Sequence, residues 1–379
     1  MRVLLISHSL VTRSNHRLPE ELACYPDLQL DVLTPEWWNE ESRIVYQEKT
    51  EDSSYRIHCD QVIYYRQPKP NLFLFRSTLA HLLHTVKPDI IDAQEEPFSL
   101  AMGQILALRK LYAPQAKLLF YSFQNLYKRY PLPFSGFEQW AFRVASHACV
   151  SASEISDVLR RKGYCGQVVL NPPGVDPAIF YPSPEARASI RATFSIALDQ
   201  PVLGYLGRLS PEKGIQDIIY ALSSLPMNTR LLIVGGGVSS EIKHLAQQFG
   251  VADRLILTGA INRVDVPRYL NAMDILIVPS RTTPRWKEQF GRVIAEASMC
   301  GVPVIGSSSG AIPEVVGENG LIFPEGNIRM LAVAVHLLLD QPHLRHELGT
   351  RAHRHARQHF TWEQVAKDRY TLYQEMFHG

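Results

Sequence analysis

Residues 280–301 read SRTTPRWKEQFGRVIAEASMCG, with Glu288 and Glu296 separated by seven residues. Upstream, Ile275-Leu276-Ile277-Val278 is a short apolar run ended by Pro279-Ser280, the pattern of a strand buried in a parallel sheet. Downstream, Pro303-Val304-Ile305-Gly306 reads as the next strand. The spacing predicts a loop leaving the first strand, Glu288 where that loop becomes a helix, and Glu296 on the helix. Eight helical steps rise about 12 Å, too far for two carboxylates to share a proton. A retaining hydrolase with a carboxylate nucleophile wants its pair about 5 Å apart. These two can instead grip hydroxyls at the ends of one elongated ligand. The helix start between them offers unpaired N–H groups and a positive dipole end, a seat for a diphosphate. Sugar, diphosphate and ribose in that order describe a nucleotide sugar. The competing reading is two solvated glutamates on a surface helix.

At 379 residues, 46% of them apolar, the chain favours two domains with a core each. A net charge of +2 with 20% charged residues argues against nucleic acid as a partner. The N-terminal MRVLLIS turns polar at His8-Ser9 and reads as a strand rather than a signal peptide, and no apolar run reaches bilayer-spanning length. The five cysteines, Cys24, Cys59, Cys149, Cys165 and Cys300, are scattered without C-x-x-C spacing. Neither a disulfide framework nor a zinc site is expected, and the compartment implied is a reducing cytoplasm.

The first half alternates predicted strands (Val3–Ile6, Gln29–Leu33, Val62–Tyr65, Asp89–Ala93, Lys117–Tyr121, Cys149-Val150) with helical segments, including Leu72–Val86 and Ser99–Leu111. Trp37 to Asp60 is charged and reads as an irregular excursion. Pro and Gly crowd VVLNPPGVDPAIFYP at 168–182, which ends this half as a linker. Strands are then predicted at Val202–Leu206, Leu231–Val234, Leu255–Leu257, Ile275–Val278, Pro303–Ile305 and Gly320–Phe323. Such alternation implies doubly wound parallel sheets. The expected division is 1–182 with a terminal helix 361–379, and 183–360.

The first strand of the second half ends in Gly207-Arg208-Leu209-Ser210-Pro211-Glu212-Lys213-Gly214 before a helix from Ile215. A strand, a glycine-bounded turn with two cations and a helix N-terminus suit phosphate. Arg208 can hold phosphate oxygens in bidentate fashion, and Lys213 adds a compact movable charge. Neither a G-x-G-x-x-G nor a P-loop pattern is present. In such sheets ligands bind beyond the carboxyl ends of the strands, where this loop and the glutamate pair both lie.

These residues resemble the retaining family-4 glycosyltransferases of the GT-B fold. The resemblance is carried by GRLSPEKG at 207–214, VGGG at 234–237, LTGAINR at 257–263, EQFGRVIAEA at 288–297, NPPGVDPAIFYP at 171–182 and FTWEQVAKDRYTLYQEM at 360–376. It implies two facing Rossmann-like domains, with the donor held mainly by the second and a C-terminal helix crossing back to the first. By that resemblance Arg208 and Lys213 neutralise the donor diphosphate, Glu288 binds hydroxyls of the transferred sugar, and Glu296 binds the ribose. Gly207, Gly235 and the backbone of Phe290, Gly291, Arg292 and Val293 would line the donor, and Ile261 would meet the base. No divalent metal and no other cofactor is implied, the cations taking the metal's task. Where many relatives carry a glycine pair after the first strand, this chain has His8 to Arg17, so Ser9, Asn15 or His16 would substitute. Where many carry a histidine after the strand at 117–121, this chain has Ser122-Phe123-Gln124-Asn125, so an amide takes that contact. Glu96, Gln124 and Asn125 complete the acceptor-side candidates. QEEP at 94–97 with QNLYKRYP at 124–131 is more like bacterial exopolysaccharide and cell-envelope transferases.

The implied reaction moves a hexose, UDP-glucose being the first donor choice, to a carbohydrate or lipid-linked acceptor by same-face displacement, the leaving phosphate taking the acceptor's proton. GDP-mannose and UDP-N-acetylglucosamine follow. The rivals are a nucleotide-sugar epimerase or phosphorylase of the same fold and a non-catalytic nucleotide-sugar-binding subunit. The histidines of RAHRHARQH at 351–359 read as a solvated basic face, which with Lys128-Arg129 and Arg160-Arg161-Lys162 suits contact with anionic headgroups of the cytoplasmic membrane.

Overall fold

The computed structural model describes residues 1–40, 43–47, 54–63 and 71–379. The chain divides into two compact units, Met1–Gly174 with Trp362–Gly379, and Val175–Thr361. The first unit runs β1 (Arg2–Ile6), α1 (Arg17–Leu22), β2 (Gln29–Pro35), β3 (Trp37–Glu40), β4 (Arg43–Tyr46), β5 (Arg56–Asp60), β6 (Val62–Ile63), β7 (Leu74–Phe75), α2 (Thr78–Val86), β8 (Ile90–Ala93), α3 (Leu100–Tyr112), β9 (Lys117–Ser122), α4 (Phe134–Val144), β10 (His147–Val150), α5 (Ser153–Arg161) and β11 (Gln167–Leu170). Its main sheet is parallel in the order β11-β10-β9-β8-β1-β2-β5. Leu4, Leu5, Ile90, Ile91, Leu118 and Leu119 are fully buried, as strands covered on both faces require.

The second unit runs α6 (Pro184–Thr193), β12 (Val202–Leu206), α7 (Ile215–Leu222), β13 (Arg230–Val234), α8 (Ser240–Gln248), β14 (Leu255–Leu257), α9 (Val266–Ala272), β15 (Ile275–Val278), α10 (Arg292–Met299), β16 (Val304–Ser307), α11 (Ile312–Val316), β17 (Leu321–Phe323), α12 (Ile328–Asp340) and α13 (Pro342–His359). Its parallel sheet has the order β14-β13-β12-β15-β16-β17. The strand order reverses where β12 meets β15, so the loops after these two strands leave the same edge side by side. The chain then returns to the first unit as α14 (Trp362–His378).

Three expectations need correction. Arg56–Asp60 is not an irregular excursion but the edge strand β5; its polar residues are tolerated because the buried Asp31 accepts from Arg56 (2.6 Å) and contacts His58 Nε2 (2.7 Å). The strand predicted at Val62–Tyr65 forms at Val62–Ile63, but as a separate antiparallel pair with Leu74–Phe75 and not in the parallel sheet; Tyr64 and Tyr65 lie outside the described residues. The helix predicted over Leu72–Val86 starts at Thr78, because Asp60 Oδ2 accepts the N–H groups of Ser77 (2.9 Å) and Thr78 (2.7 Å) and fixes the helix start from a distant strand.

The unit boundary also differs from the one at Pro182. Val175 donates its N–H to Phe360 O (2.7 Å), and Asn271 Nδ2 donates to Tyr181 O (3.0 Å), so residues 175–182 pack with the second unit. Among the described residues no helix is long and apolar enough to cross a membrane.

One buried charge pair ties α14 into the first unit. Arg369 and Asp92 are 1% and 0% exposed at their side chains and form an ion pair. Tyr373 also donates to Asp92, and Arg369 donates to Asn171 Oδ1 through Nε (3.0 Å) and Nη2 (2.6 Å). Breaking a buried pair by removing one partner leaves the other charge stranded, at about 3–5 kcal/mol. R369M is therefore expected to lower the stability of the first unit by about that amount in urea unfolding; a loss under about 1 kcal/mol would show that the pair is dispensable.

Candidate active site

The turn after β12 is held against the one after β15 by a backbone contact. Gly214 sits at φ +68, and a Cβ there would lie 2.0 Å from Pro279 O, so only glycine brings the two turns this close. Gly235, at φ +147, has a similar role in the neighbouring turn after β13: its Cβ would fall 1.8 Å from Gly207 O. With the turns fixed, Lys213 Nζ reaches Glu288 Oε2 at 2.7 Å, and Ser280 Oγ donates to the same oxygen at 3.1 Å. Glu288 lies in the loop ahead of α10 rather than at the helix start; the helix begins at Arg292 after Gly291, which caps it at φ +74 without a side-chain bond.

A cavity of about 230 Å³ opens at this edge, lined by Gly207, Arg208, Lys213, Arg263, Glu288, Gly291, Arg292, Val293 and Glu296, with β12 and β15 as its floor. Four cationic side chains and two carboxylates line it, an excess of two positive charges suited to a diphosphate. Glu296 is 3% exposed and is paired with Arg263 Nη2 at 2.8 Å. Burial pushes its pKa above the ordinary glutamate value, against the opposing pull of Arg263 and Arg292. Tyr205 donates to Arg208 O (2.6 Å) and so holds the backbone of the cationic turn. The structure thus brings together eight of the eleven predicted donor-side residues. Gly235 supports the turn instead, Ile261 is partly buried outside the lining, and the Phe290 ring is buried edge-on to Phe360.

In the first unit the acceptor-side candidates sit after β1, β8 and β9, three neighbours in the sheet. His16 is a loop anchor: it is 2% exposed, its Nε2 meets Leu10 O at 2.6 Å and its Nδ1 meets Tyr55 Oη at 3.0 Å. Asn15 donates to Ser9 O (2.7 Å), and Ser9 Oγ is 2.9 Å from Ser7 Oγ. Glu96 accepts from Ser122 Oγ and Phe123 N, both at 2.8 Å, and burial raises its pKa to about 7. Gln124 donates to Tyr130 Oη (3.2 Å), and Asn125 is buried beside Glu154 (3.4 Å). Lys162 does not belong to the basic face: it is 6% exposed and bonds Glu138 at 2.6 Å. Among the described residues no group of three or more His, Cys, Asp or Glu could hold a metal ion.

Residues 186–355 match the family model described as glycosyl transferases group 1. A GDP-mannose-dependent alpha-(1-6)-phosphatidylinositol monomannoside mannosyltransferase of Mycolicibacterium smegmatis is 35% identical over 199 residues, 50% of this chain and 52% of the relative. A D-inositol 3-phosphate glycosyltransferase of Xylanimonas cellulosilytica is 31% identical over 236 residues, 59% of this chain and 55% of the relative. The chain thus spans about half the length of the curated relatives it matches. A sucrose-phosphate synthase from Thermosynechococcus elongatus superposes with a TM-score of 0.75 at 23% identity, covering 100% of this chain and 99% of that one. HepE of Anabaena, solved in complex with UDP, gives 0.75 at 19% identity, covering 99% and 100%. The second unit carries a glycosyl transferase group 1 domain, and the fold is GT-B.

Within the group 1 domain, sequence reasoning assigned no role to Arg263, Ser280, Tyr205 or Trp286. Arg263 closes the quoted LTGAINR motif, which was a usable signal; the other three announce themselves only through contacts. In the first unit it passed over His8, whose Nδ1 and backbone N both lie 2.8 Å from the buried Glu95.

The raised pKa of Glu296 fixes a sign. The folded protein disfavours the carboxylate, so this group's contribution to stability is lost as pH rises from the ordinary glutamate value through the raised one. Relative to E296Q, the wild type is expected to lose melting temperature as pH rises above the ordinary glutamate range. A wild type that gains on E296Q over that rise would show that Arg263 outweighs burial.

Proposed function

We propose that the chain is a configuration-retaining glycosyltransferase that moves a hexose from a nucleoside diphosphate sugar to a carbohydrate or lipid-linked acceptor in glycan or glycolipid assembly. The observation that supports this reading most is the cavity itself: two nearly buried carboxylates, each paired with a cation, flank a cationic helix start. In this reading Arg208 and Lys213 stabilise charge growing on the leaving phosphate. Glu288 positions the sugar through its hydroxyls, and Glu296 takes the ribose, releasing Arg263. The leaving phosphate accepts the acceptor's proton in a same-face displacement, and the cations take the place of a divalent metal. UDP-glucose remains a candidate donor; the name of the mannosyltransferase relative sets GDP-mannose beside it.

A lipid-linked acceptor suits one edge of the first unit. Tyr127 is exposed beneath Arg161 (4.9 Å), Leu132 is 81% exposed, and Lys128 and Arg129 follow Tyr127 in the chain. Cations and apolar side chains together fit an anionic membrane surface.

A thermal-shift panel of UDP-glucose, UDP-N-acetylglucosamine and GDP-mannose tests the donor side, because a ligand of the native state raises its melting point. One donor should raise it by several degrees. Transfer from that donor, assayed in excess chelator, should persist, while R208A and K213A each lower kcat by about 10²–10³. Donor consumed without acceptor would favour an epimerase. Near-wild-type kcat in either variant, or activity that only a divalent metal restores, would overturn the phosphate chemistry.

A further inference from the structure

Lys213 meets two side chains at its ammonium end, and one of them lies outside the cavity. The ammonium stands 2.7 Å from Glu288 Oε2 and 4.6 Å from the centre of the Trp286 ring. Trp286 is partly buried and does not line the cavity, so it backs the lysine from behind. The loop that presents it is built rather than loose. Thr283 Oγ1 accepts the N–H groups of Arg285 (3.3 Å) and Trp286 (3.0 Å), and Thr283 N donates to Trp286 O (2.7 Å). At its base Arg281 is ion-paired with the buried Asp217, and Thr282 N donates to Glu325 Oε2 (2.8 Å). Thr282 Oγ1 also meets Ser309 Oγ at 3.0 Å.

We infer that Trp286 is a positioning residue: its ring holds the Lys213 ammonium at the cavity wall, ready to leave Glu288 for an incoming phosphate. A lysine side chain is flexible and strongly hydrated. An aromatic face attracts the cation without supplying a competing negative charge, so it can keep its hold while the anionic partner changes. Glu288 cannot do this alone, because the carboxylate that steadies the ammonium before donor binding is the one the sugar needs. The inference rests on the donor-site reading above and adds a residue outside the family motifs quoted from the sequence.

Calorimetry with UDP and with GDP on wild type, W286F, W286L, K213A and the K213A/W286L double variant tests it. W286L should weaken the nucleotide that binds by about three- to tenfold. W286F, which keeps an aromatic face, should stay within about twofold of wild type. In the K213A background W286L should have no further effect, because there is no ammonium left to hold. An equal loss from W286L with and without Lys213 would make Trp286 a purely structural support, and no loss in either would remove the role. A wild type that binds neither UDP nor GDP would overturn the donor-site reading and this inference with it.

Discussion

A carboxylate taken out of water must find cationic or hydrogen-bonding partners, and the second unit is arranged around two of them. Glu288 and Glu296 are 8% and 3% exposed at the edge where β12 and β15 end. Leaving either unpaired would cost several kcal/mol. Lys213 and Arg263 satisfy them, and each cation comes from a different turn of the sheet. The pairing therefore requires the turn after β12 to lie against the one after β15, which Gly214 permits. The same contacts leave cations lining a cavity. Both carboxylates are paired with cations that a phosphate and a ribose can displace, so the groups that satisfy them are those the proposed donor would recruit.

The first unit solves the same problem in its interior. Asp92 and Arg369 are both removed from solvent, with Asn171 and Tyr373 completing the network. The effect of this pair is to seat α14 on the parallel sheet of the first unit. Nearer the carboxyl ends of those strands, Glu96 keeps a carboxyl poised near neutral pH. It is held by a hydroxyl and an amide instead of a cation. The two environments, one sealed and structural and one at a strand end, show why burial alone does not mark a functional acid.

The parallel strands were legible because strands buried on both faces are nearly continuous apolar runs. Val202–Leu206, Leu255–Leu257 and Ile275–Val278 have the predicted ends. The residues that line the cavity of the second unit were legible because they cluster in short motifs at strand ends. What escaped depends on partners distant in sequence. β5 looks irregular until Asp31 is placed beside Arg56 and His58. The start of α2 is set by Asp60, and the unit boundary by the pairing of Val175 with the chain at 360–361. Lys162 reads as one more surface cation in a basic run, yet it turns inward to Glu138. Trp286 carried no periodic or motif signal at all; its place behind Lys213 comes from a loop whose start is tied to Asp217 and Glu325.

The central claim is that the two glutamates meet different parts of one ligand, and calorimetry with UDP or GDP on E288Q and E296Q tests it most directly. If Glu296 holds the ribose, its loss removes a charged hydrogen bond of about 1.5–3 kcal/mol and weakens nucleotide binding roughly ten- to hundredfold. E288Q, which touches only the transferred sugar, should bind the same nucleotide within about threefold of wild type while its kcat falls. Nucleotide binding lost in E288Q and kept in E296Q would contradict the account, because the donor would then lie in the cavity the other way round.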